Sequence, residues 1–475
     1  MATDDAPDYA LGYESVGTEH SGVYLPVAGS FPGWLSGTFV RNGPGKFEAG
    51  GTAFEHWFDG LAMLRRFGFD DGVTYANRFL RTEAYREAAA GRVDAAGFAA
   101  TPDRGPLDRI RDALSLSPTD NANADVVRID GRYVALTESP RAVAFDPDTL
   151  ATRGRFEWAD DLPVGHTTPH LRRDREGGVW GYLTTFFPRA AYRLFRVPPG
   201  TRRREPVATV PVDEPAYMHS FGLTARYAVL VEQPYVVAPW RLLTPGDEPF
   251  VRRYEWKPQR RTRFLVVDRA SGELAAEPRV PPFFTFHVVN AFEDGGDVVL
   301  DCVAWDTPSV LNGTFLDRLR SPGGSGGGGE LRRYRVPLDG RSPEYEVLAE
   351  GVALPRCDGA REARRHRYVY AQDAAASGPP RGIVKVDAET GEERTWRDPD
   401  AYASEPVFVP RPDRADPPDP AAEDDGVLLV ELLVPGEDRA AVAALDAETM
   451  EELGRAPTPD PIPFGFHGQF YRDGA

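Results

Sequence analysis

The residues of this chain best suited to chemistry are its eight histidines: His20, His56, His166, His170, His219, His287, His366 and His467. Four sit in apolar or turn-rich settings that read as strand ends: His170 in TTPHLRRD, His219 in AYMHSFGL, His287 in FFTFHVVN and His467 in PFGFHGQF. Their separations of 49, 68 and 180 residues match no local metal motif such as H-E-x-x-H. Singly, each reads as a core histidine with satisfied ring nitrogens. Brought to one point, they would repel one another if charged, and a shared metal ion is the economical way to hold several imidazoles neutral. Such a centre requires no Ser-His-Asp arrangement and no acid–base dyad.

Residues so far apart need a fold that gathers them. Short β-branched and aromatic runs recur along the chain, among them RYAVLVEQPYVV, DVVLDCVAW, HRYVYAQ and GVLLVELLV, each bounded by the turn residues expected of strands. Helical periodicity is rare; the best case is Leu107–Leu116, with Leu107, Ile110, Ala113 and Leu114 on one face. A weak repeat, apolar-Asp-x-x-(Thr/Ser), occurs at Asp146, Asp268, Asp387 and Asp446. It describes a strand entering a hairpin turn whose backbone the Asp and Thr/Ser side chains cap. The Asp-to-Asp spacings are 122, 119 and 59 residues, close to multiples of about 60. Units of that size with several strands each predict an all-β propeller of seven or eight blades. On its axis the innermost strands converge, so one histidine from each of several blades can share a spot. No domain boundary is visible, and residues 1–475 read as a single domain. Ser321–Gly329 and Asp416–Asp425 read as surface loops.

Composition narrows the partners. Hydrophobic residues make up 41% and aromatics 11%, enough for a large core. The net charge of −18, with lysine only at positions 46, 257 and 385, argues against nucleic acid, which needs a basic footprint. Two cysteines, Cys302 and Cys357, form no disulfide framework, so a cytoplasmic location is expected. The N-terminal MATDDAPDYALGYES lacks a basic and an apolar region, and no window approaches 18 apolar residues. Neither a signal peptide nor a spanning helix is expected.

Several runs together carry a family resemblance: GTFVRNGP (Gly37–Pro44), HWFDGLAML (His56–Leu64), TDNAN (Thr119–Asn123), Thr137-Glu138, HSFGL (His219–Leu223), NAFED (Asn290–Asp294), Ser404-Glu405-Pro406 and Phe466-His467-Gly468. From about residue 10 to the C-terminus the chain resembles the carotenoid cleavage oxygenases, a family that includes animal β-carotene oxygenases and the retinoid isomerase of the visual cycle. The run around His56 and NRFLR (Asn77–Arg81) with Tyr85 are closer to the animal branch. The resemblance implies a seven-bladed β-propeller, with a few helices and loops capping the active-site face. It implies Fe(II) on the axis, held by His170, His219, His287 and His467. His166 competes with His170 for the first place; Asp174, four residues after His170, matches the family's pattern. His56 is structural by the same resemblance.

The resemblance further assigns Glu138 to hold His219 and Glu405 to hold His467, because a ligand imidazole needs its second nitrogen anchored. For His287 the family places a Glu where this chain has Ala353; nearby Glu350 has an odd offset and points to the other face of a strand. Ala124 replaces a methyl-bearing Thr or Val that crowds one side of the iron. Tyr217 and Trp305 fall where the family places tunnel aromatics. The implied reaction is cleavage of a double bond of a carotenoid or apocarotenoid by O₂ into aldehyde or ketone fragments, with retinal among the candidate products. The iron supplies the oxygen chemistry, and the protein supplies orientation and a dry tunnel. A lipid-dissolved substrate implies a peripheral membrane contact, for which Leu107–Leu116 and Tyr235–Leu243 are the candidates. The competing readings are a stilbene-type cleaver, an O₂-independent retinoid isomerase, a non-catalytic propeller that only binds, and a calcium-dependent propeller hydrolase.

Overall fold

The four Asp turns found in the sequence fold alike. In a computed structural model, which describes residues 6–92, 119–243, 250–324, 326–414 and 422–472, each of these Asp side chains accepts backbone N–H groups two and three residues on. The donors are Asp148 and Thr149, Ala270 and Ser271, Glu389 and Thr390, and Glu448 and Thr449. Every one of these turns joins the last two strands of a four-stranded unit. The side chain replaces hydrogen bonds that the reversing backbone cannot make to itself.

Seven such units follow one another along the chain. The first contains Thr38–Lys46, Leu61–Gly68, Val73–Phe79 and Val23–Leu25, and the second runs from Asp125–Ile129 to Thr152–Arg155. The third begins at His166–Thr167 and Arg172–Arg173, the fourth at Phe221–Leu223 and the fifth at Phe284–Asp294. Glu344–Arg356 closes the fifth blade and opens the sixth: its first half pairs with Gly329–Val336 and its last residues with Tyr368–Asp373. The seventh begins at Tyr402–Ala403 and Val407–Pro410. The four Asp turns fall in blades two, four, six and seven, so the spacings of 122, 119 and 59 residues span two, two and one blades.

Both ends of the chain close the ring. Gly468–Tyr471 pairs with Thr38–Lys46 as the innermost strand of the first blade, and Ala28–Gly29 pairs with Glu452–Pro457 at the rim of the seventh. Between each pair of neighbouring blades lies an apolar cluster of residues from facing sheets. Phe39, Phe67 and Tyr75 meet Val409, Val427 and Val442 across the closing seam. Burying each large side chain there contributes about 1.5–3 kcal/mol. Two more clusters cover one face of the ring, one built on Tyr9, Tyr13, Phe47, Leu316 and Phe464 and the other on Tyr217, Tyr235, Tyr254, Phe286 and Leu311. Short helical turns such as Asp8–Tyr13, Val310–Gly313 and Leu316–Leu319 supply part of this cap.

The asparagine run is a staple. Asn121 and Asn123 donate side-chain N–H to the Gly60 carbonyl, each at close to 2.9 Å, so the TDNAN and HWFDG runs hold one another. Asn42 donates to the carbonyls of Ala122 and Asp125, which fixes the start of the second blade's inner strand. Leu107–Leu116 lies outside the described residues. Tyr235–Leu243 is only partly a surface: Tyr235, Val236 and Val237 are core, and Trp240 is 66% exposed. Among the described residues, no helix is long and apolar enough to cross a membrane.

Candidate metal centre

Four of the seven inner strands carry a histidine to the axis. His170 sits between the two short inner strands of the third blade, His219 just before the inner strand of the fourth, and His467 just before Gly468–Tyr471 in the first. His287 lies inside the fifth blade's inner strand, where the register slips between Thr285 and Val288. A regular strand would send Phe286 and His287 to opposite faces; the irregularity lets both border one cavity. Gly468 lets His467 sit where it does, because a Cβ there would lie 2.5 Å from the Arg41 side chain and 2.6 Å from the Val40 carbonyl.

The ligand-type nitrogens of the four residues all lie within 4.8 Å of one another. His170 Nε2 is 2.9 Å from His219 Nε2, and His287 Nε2 is 3.2 Å from His467 Nε2. His219 donates Nδ1–H to Glu138 Oε1 at 2.5 Å and His467 donates Nδ1–H to Glu405 Oε1 at 2.7 Å, which leaves each Nε2 as a lone pair. Burial, reinforced by the neighbouring imidazoles, holds His170 and His287 well below the usual histidine range, so both are neutral. A cation placed among these nitrogens would be met by all four imidazoles at once. Two nitrogens bound to one first-row ion at about 2.1 Å and at a right angle would lie about 3 Å apart. The donor set fits a metal ion.

The two anchoring carboxylates are themselves held. Burial alone would raise Glu405, but Arg356, His467 and Arg41 hold it at about 2. Its Oε2 accepts from Arg41 NH1 at 2.8 Å and from the Gly468 N–H at 3.1 Å. Glu138 is likewise held at about 2 against burial, by His219 and His166, and the Tyr217 hydroxyl donates to its Oε1 at 2.7 Å. Tyr217 therefore both borders the cavity and orients an anchor.

His287 differs. Among the described residues nothing is hydrogen-bonded to its Nδ1, and Ala353 borders the same cavity. Glu350 is exposed, so it does not substitute. His170 is intermediate: Asp125 Oδ2 lies 3.6 Å from its Nδ1. Asp125 was not among the residues singled out in the sequence, although it directly follows the TDNAN run and Ala124. Asp174 is not at the centre; it binds Gly178 N–H, Trp180 Nε1 and Arg196, and shapes a turn of the third blade. His166 points to Glu138 Oε2 at 3.5 Å and is not one of the four. His56 is structural: its Nδ1 accepts the Phe58 N–H and its Nε2 meets Thr314 Oγ1 at 2.9 Å.

Two cavities meet at the four histidines. Under the cap lies an aromatic one of about 180 Å³, bordered by Trp57, Phe58, Tyr217, Phe286, Trp305 and Phe466, with Ala124 and Thr137 in its wall. On the other side a cavity of about 980 Å³ carries Asp125, Arg172, Arg356 and Glu362.

A family model described as Retinal pigment epithelial membrane protein matches residues 13–472. The carotenoid-cleaving dioxygenase, mitochondrial, of Macaca fascicularis is 32% identical over 517 residues, covering 94% of this chain and 92% of that protein. The carotenoid cleavage dioxygenase 8 homolog A, chloroplastic, of Oryza sativa subsp. japonica is 34% identical over 482 residues, covering 94% and 84%. Animal and plant relatives thus match at similar identity. A solved structure of a Synechocystis apocarotenoid oxygenase variant superposes with a TM-score of 0.86 at 26% identity, over 98% of both chains. A cobalt-substituted form of Synechocystis ACO gives 0.85 at 27%, again over 98% of both.

Proposed function

The chain belongs to the Retinal pigment epithelial membrane protein family, the carotenoid cleavage oxygenases, and from that premise we propose that it is an Fe(II)-dependent dioxygenase cleaving a double bond of a carotenoid or apocarotenoid. The observation that carries this reading is the convergence of four imidazoles at the end of an aromatic cavity. In this reading His170, His219, His287 and His467 hold the iron, which supplies O₂ activation, and residues 1–475 act as one propeller domain.

The chain's own contribution is placement. The rings of Phe58, Tyr217, Phe286 and Trp305 give a polyene flat apolar walls, and Phe58, Tyr217 and Trp305 each pack on the Phe286 ring at centroid distances of 5.9–6.3 Å. Glu138 and Glu405 keep two imidazoles facing the centre. Ala124, small and beside His467, leaves room on one side; its carbonyl accepts the His467 N–H at 3.2 Å. The capping clusters keep water from the aromatic cavity, which protects a reactive polyene from side reactions.

The test is product analysis. Iron-loaded protein incubated with several carotenoids under ¹⁸O₂ is expected to yield two labelled carbonyl fragments, identified by mass. Isomerised substrate without label would point to the O₂-independent reading, and recovery of intact polyene to a binding protein. Peripheral membrane contact through Trp240 belongs to the same reading, since the ring is exposed beside the core strand Tyr235–Val236. Trp240→Glu is expected to reduce liposome flotation; unchanged flotation removes this segment from the membrane face.

A further inference from the structure

The four histidines form a partition. His219 borders only the aromatic cavity and His170 only the larger one, while His287 and His467 border both. The larger cavity follows the propeller axis. Inner strands wall it beside the histidines, Val179 and Val197 of the third blade's later strands wall it farther out, and exposed turn residues such as Gly131, Gly177 and Gly200 border its outer end. Five arginines and five carboxylates line it, so it is charge-balanced and more polar than the aromatic cavity.

Two carboxylates are placed along its length. Glu362 accepts the Arg173 N–H at 2.9 Å and lies 3.5 Å from Arg172. Deeper, Asp125 is only 6% exposed: its Oδ1 accepts the Val126 N–H, whereas its Oδ2 has no hydrogen bond among the described residues and lies 3.6 Å from His170 Nδ1. The arginines nearby are turned to the walls. Arg172 donates to the carbonyls of Phe221 and Val289, and Arg356 to Gln469 and the Gly468 carbonyl. The channel therefore offers a cation successive oxygen donors ending beside a ligand imidazole.

A hydrated divalent ion and a polyene cannot share one route. Stripping water from an ion among aromatic rings is prohibitive unless replacement ligands are at hand, and a polyene gains nothing from a charged wall. We propose that the metal ion enters and leaves the four-histidine site through this axial channel, by way of Glu362 and Asp125, while the aromatic cavity is left to the polyene. This rests on the reading of the four histidines as the metal centre. Oxygen donors along the route replace the ion's water in steps without changing the final site, so their loss should show in rates and not in occupancy.

Stopped-flow mixing of metal-free protein with Co²⁺, followed by chelator-driven release, tests it. Thr201→Trp narrows the outer end of the channel, and Glu362→Gln removes the outer carboxylate. Each should slow both uptake and release by about tenfold, with final binding still one Co²⁺ per chain. Gly326→Phe, in the wall of the aromatic cavity, should leave both rates unchanged. Unmodified rates in both channel variants, or slowing by Gly326→Phe alone, overturn the proposal. If Thr201→Trp fails to fold, Glu362→Gln decides. Should the unmodified protein bind no Co²⁺ at all, the metal reading itself fails, which is a separate result.

Discussion

His366 and His467 are both buried beside a carboxylate, yet they do different things. His366 lies between the fifth and sixth blades, with Nε2 2.8 Å from Asp301 and Nδ1 accepting from Asn290 at 3.1 Å. Both ring nitrogens are used by the protein, and Arg333 completes the Asp301 carboxylate. His467 uses only Nδ1, on Glu405; its Nε2 faces His287. A buried histidine's role is read from its second nitrogen. By the same measure His287 is the mirror case, its Nε2 in the cluster and its Nδ1 without a partner among the described residues.

That contrast can be broken in five places. The largest effect is expected from His467→Ala or His219→Ala, which should leave a folded protein with little iron by elemental analysis; His366→Gln should keep its iron. Retention of iron by His170→Ala together with its loss in His166→Ala would falsify the ligand assignment. Next, Glu405→Gln should weaken metal binding by about 10–100-fold. It also breaks a buried pair with Arg41, a change that costs about 3–5 kcal/mol in denaturant titration. Asp125→Asn should do less to affinity, because its contact with His170 is longer.

Ala353→Glu sharpens the comparison from the other side. A carboxylate at 353 should give His287 the anchor that His467 has, tightening iron by roughly an order of magnitude at unchanged melting temperature. If no partner is in reach, the buried charge instead lowers the melting temperature without any gain in iron. The smallest effect on the centre belongs to Asp301. Burial alone would raise its pKa, but His366 and Arg333 hold it at about 2, below the usual 3.8. The unfolded chain then binds more protons in that interval, so stability from this pair is complete above about pH 3.8 and is lost as pH falls toward 2. Asp301→Asn should flatten this acid limb in a melting series and leave metal content unchanged.

Much of the ring was legible. The Asp turns at 146, 268, 387 and 446 are local devices, completed within three residues, so their spacing gave the blade length and bracketed the count at seven or eight. The 180 residues from His287 to His467 span three blades, from the fifth round to the first, because strand-plus-turn lengths are set locally. Trp240 and its neighbours were less legible: an apolar run such as Tyr235–Val237 looks the same whether it meets lipid or other rings, and here it meets Tyr217 and Tyr254.

The sequence by itself determined which residues can ligate, which turns reverse the chain, and that strands of a fixed length repeat, because these depend on side-chain chemistry and neighbours a few positions away. Tertiary structure alone decided which nitrogen of His219 and of His467 faces the cluster, since Glu138 and Glu405 reach them from 81 and 62 residues away. It also decided that Phe286 and His287 share a cavity, through one slip of register. Closure of the first blade by Gly468–Tyr471 brings His467 to the axis and divides aromatic space from charged space on either side of it. Such features depend on where distant strands stop relative to one another, a quantity that no short window of residues contains.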